Sequence, residues 1–168
     1  MFGSCKIRLV EKTDLPMLLQ WRNHPDIRKF MFTQENIDLK THYNWFEEAC
    51  RDSCKTLLIV EENHEPLGFV QFIKYPKKNW ADWGFYTGPD MPKGSGQKLG
   101  SMALNYAFSA LKYDIICGQS IESNEASIKF HIKMGFSREE KPINHKLSNG
   151  NYVSIINFIL TQSKWFKN

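Results

Sequence analysis

Three runs of β-branched and aromatic residues, Lys55–Glu61, Leu67–Lys74 and Trp80–Thr87, follow one another and lead directly into a glycine turn and an apolar helix. Asn63-His64-Glu65-Pro66 between the first two reads as a hairpin turn, and Gly88-Pro89 closes the third. Beyond it, Lys93-Gly94-Ser95-Gly96 opens a helix with apolar positions Leu99, Met102, Ala103, Tyr106, Ala107 and Ala110. A meander that hands over to a helix must cover its sheet with that helix, which predicts a mixed α/β layer architecture. Around this centre, Lys6–Val10 reads as a strand and Thr13-Asp14 as the N-cap of a helix ending near Asn23-His24-Pro25. A second helix is expected over 39–51, with Tyr43, Phe46 and Cys50 on one face and His42, Glu47 and Glu48 turned elsewhere. Asp114–Ile121 reads as a strand, Ser123-Asn124 as the cap of a helix to Met134 stopped by Gly135, and Tyr152–Leu160 as a last strand after Asn149-Gly150. The order expected is βααβββαβαββ.

With 168 residues and no linker, repeat or low-complexity segment, residues 1–168 read as one domain. A chain of this length buries roughly 70% of the surface it exposes when unfolded, so its core needs no disulfide or metal. Cys5, Cys50, Cys54 and Cys117 form no CxxC pair, and no metal site is expected. Lys and Arg number 22 against 18 Asp and Glu, a net charge of +4, which suits a small anionic ligand better than a nucleic acid. The first residues, Met1 to Lys6, hold no apolar leader, and no stretch approaches the ~18 apolar residues of a membrane span. A cytoplasmic protein that meets neither membrane nor nucleic acid is expected.

Gly94-Ser95-Gly96 places unpaired N–H groups and the positive end of a helix dipole where an anion such as a pyrophosphate can sit. A Rossmann GxGxxG needs glycine at Leu99, and a Walker loop needs Lys-Ser or Lys-Thr; neither is present. Taken alone, the same residues also read as a plain turn into a helix. Twenty-six residues after Gly96 begins Glu122-Ser123-Asn124-Glu125-Ala126-Ser127-Ile128-Lys129-Phe130-His131-Ile132-Lys133-Met134-Gly135-Phe136. The GxG turn and this second segment, over roughly Lys6 to Phe136, resemble the GNAT acetyltransferases. The resemblance implies a GNAT-like α/β fold: a mixed, mostly antiparallel central sheet flanked by helices. It implies acetyl-CoA as cosubstrate, without a metal, held by Phe85, Lys93, Gly94, Ser95, Gly96, Gln97, Lys98, Gly100, Asn124 and Ser127. Met91 stands where the family has Gln or Arg three residues before the first glycine, and Lys93 is the replacement charge.

A narrower likeness lies in Trp21-Arg22-Asn23-His24-Pro25, His42 and Gly84-Phe85-Tyr86. These resemble the N-acetyltransferases of the pseudaminic-acid pathway, which acetylate a UDP-linked 4-amino-4,6-dideoxy sugar. That likeness implies a nucleotide-sugar substrate contacted by Arg22, His42, Lys74 and Tyr86, with Gln71 nearby and a homodimer as the candidate assembly. The Arg-Asn-x-Pro element is shared with acetyltransferases of protein N-termini and polyamines, and those substrates stay open. A CoA-binding module without activity is the alternative of another class.

His131 stands where the family commonly has a Tyr that protonates the departing thiolate; a charged His can do the same. Glu122 is the nearest carboxylate to the expected site and the candidate base. By the family likeness the strand over Trp83–Tyr86 carries a bulge whose freed N–H faces the thioester, Gly84 being compatible with it, and splays from Ile115–Gln119.

Overall fold

The computed structural model describes residues 4–167; the absence of an apolar leader, so far as it concerns Met1–Gly3, lies outside the described residues. The elements run β1 (Cys5–Leu9), a 3-10 turn at Lys12–Asp14, α1 (Leu15–Asn23), α2 (Pro25–Arg28), α3 (Leu39–Arg51), β2 (Lys55–Glu62), β3 (Glu65–Lys74), β4 (Trp80–Thr87), α4 (Ser95–Ser109), β5 (Ile115–Ile121), α5 (Glu125–Lys133), β6 (Ser137–Arg138), β7 (Ile143–Lys146), β8 (Tyr152–Thr161) and α6 (Gln162–Trp165). The expected order holds, with short α2 and α6 and one further strand after α5 added. The sheet order is β1-β2-β3-β4-β5-β8-β6, with β7 also on β8. Only β4 and β5 pair in parallel among the described residues.

The Leu57-Leu58-Ile59-Val60 run is continuous because β2 is buried on both faces: Leu58 and Val60 join α4's core, Leu57 and Ile59 the core under α1 and α3. Asn63 and His64 both take positive φ, so the β2–β3 turn has two residues instead of the expected four. Pro66 lies inside β3, where a register shift after Val60 makes a bulge that tolerates it. Gly68 lets α4 approach the sheet, since a Cβ there would meet Leu99 and the Tyr86 carbonyl.

Two expectations on the helices need correction. Asp14 precedes α1 but does not cap it: Arg8 donates to Oδ2 at 2.7 Å and to Oδ1 at 2.9 Å, and the Glu11 N–H to Oδ2 at 2.8 Å. Helix α3 is rotated from the expected face. It buries His42 and Ala49, with Trp45 and Phe46 between them, and exposes Cys50. The stripe at 42, 45–46 and 49 brings the Trp45 ring onto Phe69, with centroids 6.0 Å apart, which Cys50 cannot do.

Candidate active site

β4 and β5 pair only at Trp80–Ile115, Ala81–Ile116 and Asp82–Cys117. β4 continues to Thr87 against β3, and β5 to Ile121 against β8, so their facing edges part from Trp83 and Gly118 onward. The result is a V-shaped cleft with its vertex at Asp82–Cys117, higher in the strands than the Ile115 end expected. The β3–β4 register is unbroken from Gly68–Thr87 to Lys74–Ala81, so the expected bulge at Gly84 is absent; backbone groups are freed by the parting of the strands instead. A Cβ at Gly84 would come within 3.2 Å of Gln71 Nε2, at the flexible end of that side chain.

At the mouth of the cleft lies the start of α4. Gly94 takes φ +96°, a conformation that glycine adopts without cost, and nothing lies within 4 Å of a Cβ on Gly94 or Gly96. The Ser95 N–H reaches Pro92 O at 3.1 Å, while Gln97 and Lys98 both donate to Gly94 O. The N–H groups of Gly94 and Gly96 meet no acceptor among the described residues. An open turn with free N–H groups at the positive end of a fifteen-residue helix can hold a phosphate. Lys93 and Gln97 are exposed beside it. Three residues of the expected set are engaged elsewhere. The Lys98 ammonium pairs with Glu62 of β2. Gly100 is buried under α5, where a Cβ would meet Phe130 Cζ at 2.5 Å, so it serves helix packing and not the loop. Phe85 likewise packs its ring on Phe130, with centroids 4.9 Å apart.

On α5, Asn124 Oδ1 accepts from the Ser127 N–H at 3.2 Å, which makes it the N-cap, and its amide NH2 has no partner among the described residues. The expected catalytic role of His131 is overturned by its surroundings. Its ring is 1% exposed and stacked on Phe158, with centroids 4.4 Å apart. Trp83 Nε1–H donates to its Nε2 at 3.2 Å, and Nδ1–H donates to the Ser127 carbonyl at 2.8 Å. Both ring nitrogens are engaged, and burial lowers its pKa to about 4, so at neutral pH no imidazolium is present to protonate a thiolate. Glu122 is exposed just past the end of β5, about 13 Å of strand beyond Gly118, away from the vertex.

The face of β4 opposite α4 carries Asp82, Gly84 and Tyr86, since side chains alternate along a strand and Trp83 and Phe85 face α5. Tyr86 packs on Phe69, with centroids 5.3 Å apart, and burial pushes its phenol above the usual range. Arg22, at the end of α1, interacts with it electrostatically. Arg22 Nη2 donates to Thr33 O at 2.6 Å; Nη1 is buried and has no partner, and no carboxylate pairs with Arg22 among the described residues. Gln71 lies over Gly84 on this face. His42 is not a free ligand: it is 4% exposed, its Nε2–H donates to Leu15 O at 3.0 Å, and burial lowers its pKa. It locks α3 to α1 beneath the site. Lys74 is exposed opposite Ala81, five residues and about 16 Å of strand from Phe69, so it does not join Arg22 and Tyr86. Tyr75 and Asp82 were not expected here; the only sequence sign of Asp82 is a carboxylate within a strand rich in aromatic residues.

Residues 5–137 match the acetyltransferase (GNAT) domain family. The chain is 31% identical over 124 residues to acetyltransferase PseH of Campylobacter jejuni subsp. jejuni serotype O:2, a match covering 74% of this chain and 77% of that one. Its fold is similar to a spermidine N-acetyltransferase from Vibrio cholerae solved with CoA and spermine, at TM-score 0.87 and 20% identity, covering 96% and 98% of the two chains. It is similar in the same way to the crystal structure of Campylobacter jejuni N-acetyltransferase PseH, at TM-score 0.71 and 20% identity, covering 94% and 98%. The parted β4–β5 strands, the glycine turn and the family match over four-fifths of the chain agree: this is an enzyme of the GNAT acetyltransferase family.

Proposed function

We propose that the enzyme transfers acetyl from acetyl-CoA to the 4-amino group of a nucleotide-linked 4-amino-4,6-dideoxy sugar, in cytoplasmic biosynthesis of pseudaminic-acid type for flagellin or surface glycans. The observation that carries the acceptor is Arg22, a half-buried guanidinium with no carboxylate partner among the described residues. A diphosphate complements a guanidinium that no carboxylate neutralises, whereas a polyamine or a peptide ammonium would meet a like charge. The identity with PseH supports the same reading.

Acetyl-CoA supplies a thioester whose carbonyl carbon the acceptor amine attacks. The free N–H groups of Gly94 and Gly96 receive its pyrophosphate, with Lys93, Ser95 and Gln97 beside them. The unpaired edge of β4 from Trp83 to Thr87 offers backbone donors to the pantetheine and to the developing oxyanion. Asn124, through its vacant amide, and Ser127 close the far side of the cleft. On the acceptor face, Arg22 takes the diphosphate and Tyr86 and Gln71 the sugar, which holds the amine against the cleft. The proposed assembly is a homodimer.

The test is thiol release from acetyl-CoA with a UDP-4-amino-4,6-dideoxy sugar, spermidine and an N-terminal peptide as acceptors. The sugar is expected to be turned over with the highest kcat/KM. Arg22→Gln is expected to raise its KM at least tenfold, as loss of a charge-assisted bond of about 1.5–3 kcal/mol requires. Faster turnover of spermidine or peptide, with Arg22→Gln leaving the sugar's KM unchanged, assigns the enzyme to those acceptors instead. No thiol release with any amine makes the chain a CoA-binding module.

A further inference from the structure

Residues 29–38, between α2 and α3, form neither helix nor strand, yet side chains tie the segment down at two places. At its base, Asn23 holds Ile37 twice: Nδ2–H donates to the Ile37 carbonyl and the Ile37 N–H donates to Oδ1, each at 2.8 Å. Arg22 Nη2 donates to the Thr33 carbonyl at 2.6 Å, and Arg28 Nη1 to Asn36 Oδ1 at 3.0 Å. Its tip reaches the β7–β8 hairpin. There the Phe32 ring lies on His145, with centroids 4.9 Å apart, and Ser148 Oγ–H donates to Glu35 Oε2 at 2.8 Å, across 113 residues of sequence.

The sheet order decides where this strap runs. Arg22 is close to Tyr86 of β4, and His145 lies on β7, with β5 and β8 between those two strands. The face is that of the acceptor. Cys117 lies beside Asp82, Gln119 donates to Asn157 at 3.0 Å, and Val153 and Ile155, an even number of residues from Asn157, stand opposite His145 and Ile143. The level is that of Tyr86 and Ile121, four residues and about 13 Å of strand beyond the vertex at Asp82–Cys117. A segment tied at both places spans the open end of the V on the acceptor side.

The two attachments are unequal. The base rests on part-buried bonds and a half-buried guanidinium, whereas Phe32, Glu35, His145 and Ser148 are all exposed. We propose that residues 29–38 are a gate for the acceptor, hinged at Asn23 and clasped by Phe32–His145 and Glu35–Ser148. The gate opens at the clasp, where water competes for the hydroxyl–carboxylate bond, and closes over the non-reacting part of the acceptor. Phe32 and Ser148 are then positioning residues. They touch no reacting atom, and they govern acceptor choice through the fit of the closed strap. A strap closed for only part of the time weakens acceptor binding in proportion. Acetyl-CoA, received at the α4 turn on the other face of the sheet, does not depend on the clasp.

The proposal requires acetyl transfer to an amine but not the sugar reading, so its test takes whichever acceptor of the panel the wild-type enzyme turns over fastest. Amide hydrogen exchange of residues 29–38 reads the gate directly. Adding that acceptor at saturation to the CoA-bound enzyme is expected to slow this exchange at least about fivefold, and CoA alone to leave it within about twofold of the free enzyme. Phe32→Ala combined with Ser148→Ala is expected to speed exchange in the free enzyme. The same variant is expected to raise the acceptor KM about three- to tenfold, with kcat and the acetyl-CoA KM within about twofold of wild type. Phe32→Tyr with Ser148→Thr, which keeps the ring and the hydroxyl, is expected to bring that KM back to within about twofold. Strap exchange that the acceptor leaves unchanged, or a wild-type acceptor KM in the folded double alanine variant, overturns the proposal. If that variant does not fold, the exchange result decides alone. Protection of the strap by spermidine or peptide in place of the sugar overturns the sugar reading and leaves the gate standing.

Discussion

Trp83 donates its indole N–H to His131 Nε2 across Gly118, and this bond lies where β4 and β5 separate. The two side chains come from different faces of the cleft's roof, β4 and α5, and meet over a residue with no Cβ. A Cβ on Gly118 would lie 2.6 Å from His131 Nε2 and 2.8 Å from Trp83 Nε1. His131 is thus a packing and hydrogen-bonding group behind the cleft between β4 and β5.

Its burial predicts an acid sensitivity with a definite sign. The folded pKa of about 4 lies below the unfolded value near 6.5, so the unfolded chain binds the proton more readily. The stability from a neutral His131 is complete above about pH 6.5 and is lost progressively down to about pH 4, to a total of about 3 kcal/mol. Urea melts between pH 4 and 7 measure it; in His131→Phe that dependence is expected to flatten, at a cost of about 1–3 kcal/mol for the orphaned indole N–H. The pH–rate profile of His131→Phe near neutrality is expected to keep the wild-type shape. A lost descending limb would restore a catalytic role.

Gly118→Ala is expected to lower stability by about 1–3 kcal/mol through overpacking, because rings and not flexible tips receive the new methyl. Combining it with His131→Ala makes room for that methyl. Thermal melts of the double-mutant cycle are expected to show a favourable coupling; additive losses would mean that the Gly118 contact is not with His131.

The glycine turn gives two separable outcomes. Gly96→Ala enters open space in the first turn of α4, so stability is expected to stay or rise by up to about 1 kcal/mol while CoA affinity falls. Gly94→Ala meets φ +96° and is expected to cost about 1–2 kcal/mol as well. Calorimetric titration with CoA, beside thermal melts, checks both.

Arg8 joins β1 to the start of α1 and to β2 through Asp14 and Glu61, each at 2.7 Å. Burial raises the Asp14 carboxyl, but the Arg8 bonds and the Glu11 N–H outweigh it and hold the pKa below the usual value. That contribution is present above the unfolded carboxylate range near pH 4 and is lost as pH falls through the folded pKa. Asp14→Asn is expected to lower the unfolding free energy from denaturant melts by about 1–3 kcal/mol at pH 7, a difference that closes in acid.

Local chemistry made much of this protein legible from its residues. Asn124 caps α5, Gly135 stops it at φ +94°, Gly94 needs positive φ, and the apolar run in β2 is buried on both sides. Each follows from a backbone conformation or a periodicity that neighbouring residues specify, so the order of elements along the chain, the main helix positions and the glycine turn were accessible without coordinates. β7 was missed because Ile143–Lys146 is exposed throughout and pairs with β8 without an alternating pattern. The chemistry of the site depended on something else. Whether His131 is charged is decided by Trp83, Phe158 and Gly118, which lie far from it in sequence. His42 became a buried tie to Leu15, and Lys74 was separated from Arg22 by the β3–β4 register. Asp82 acquired its place only because β4 and β5 stop pairing one residue later. Desolvation and cross-strand register are products of long-range packing, and tertiary structure alone decides them.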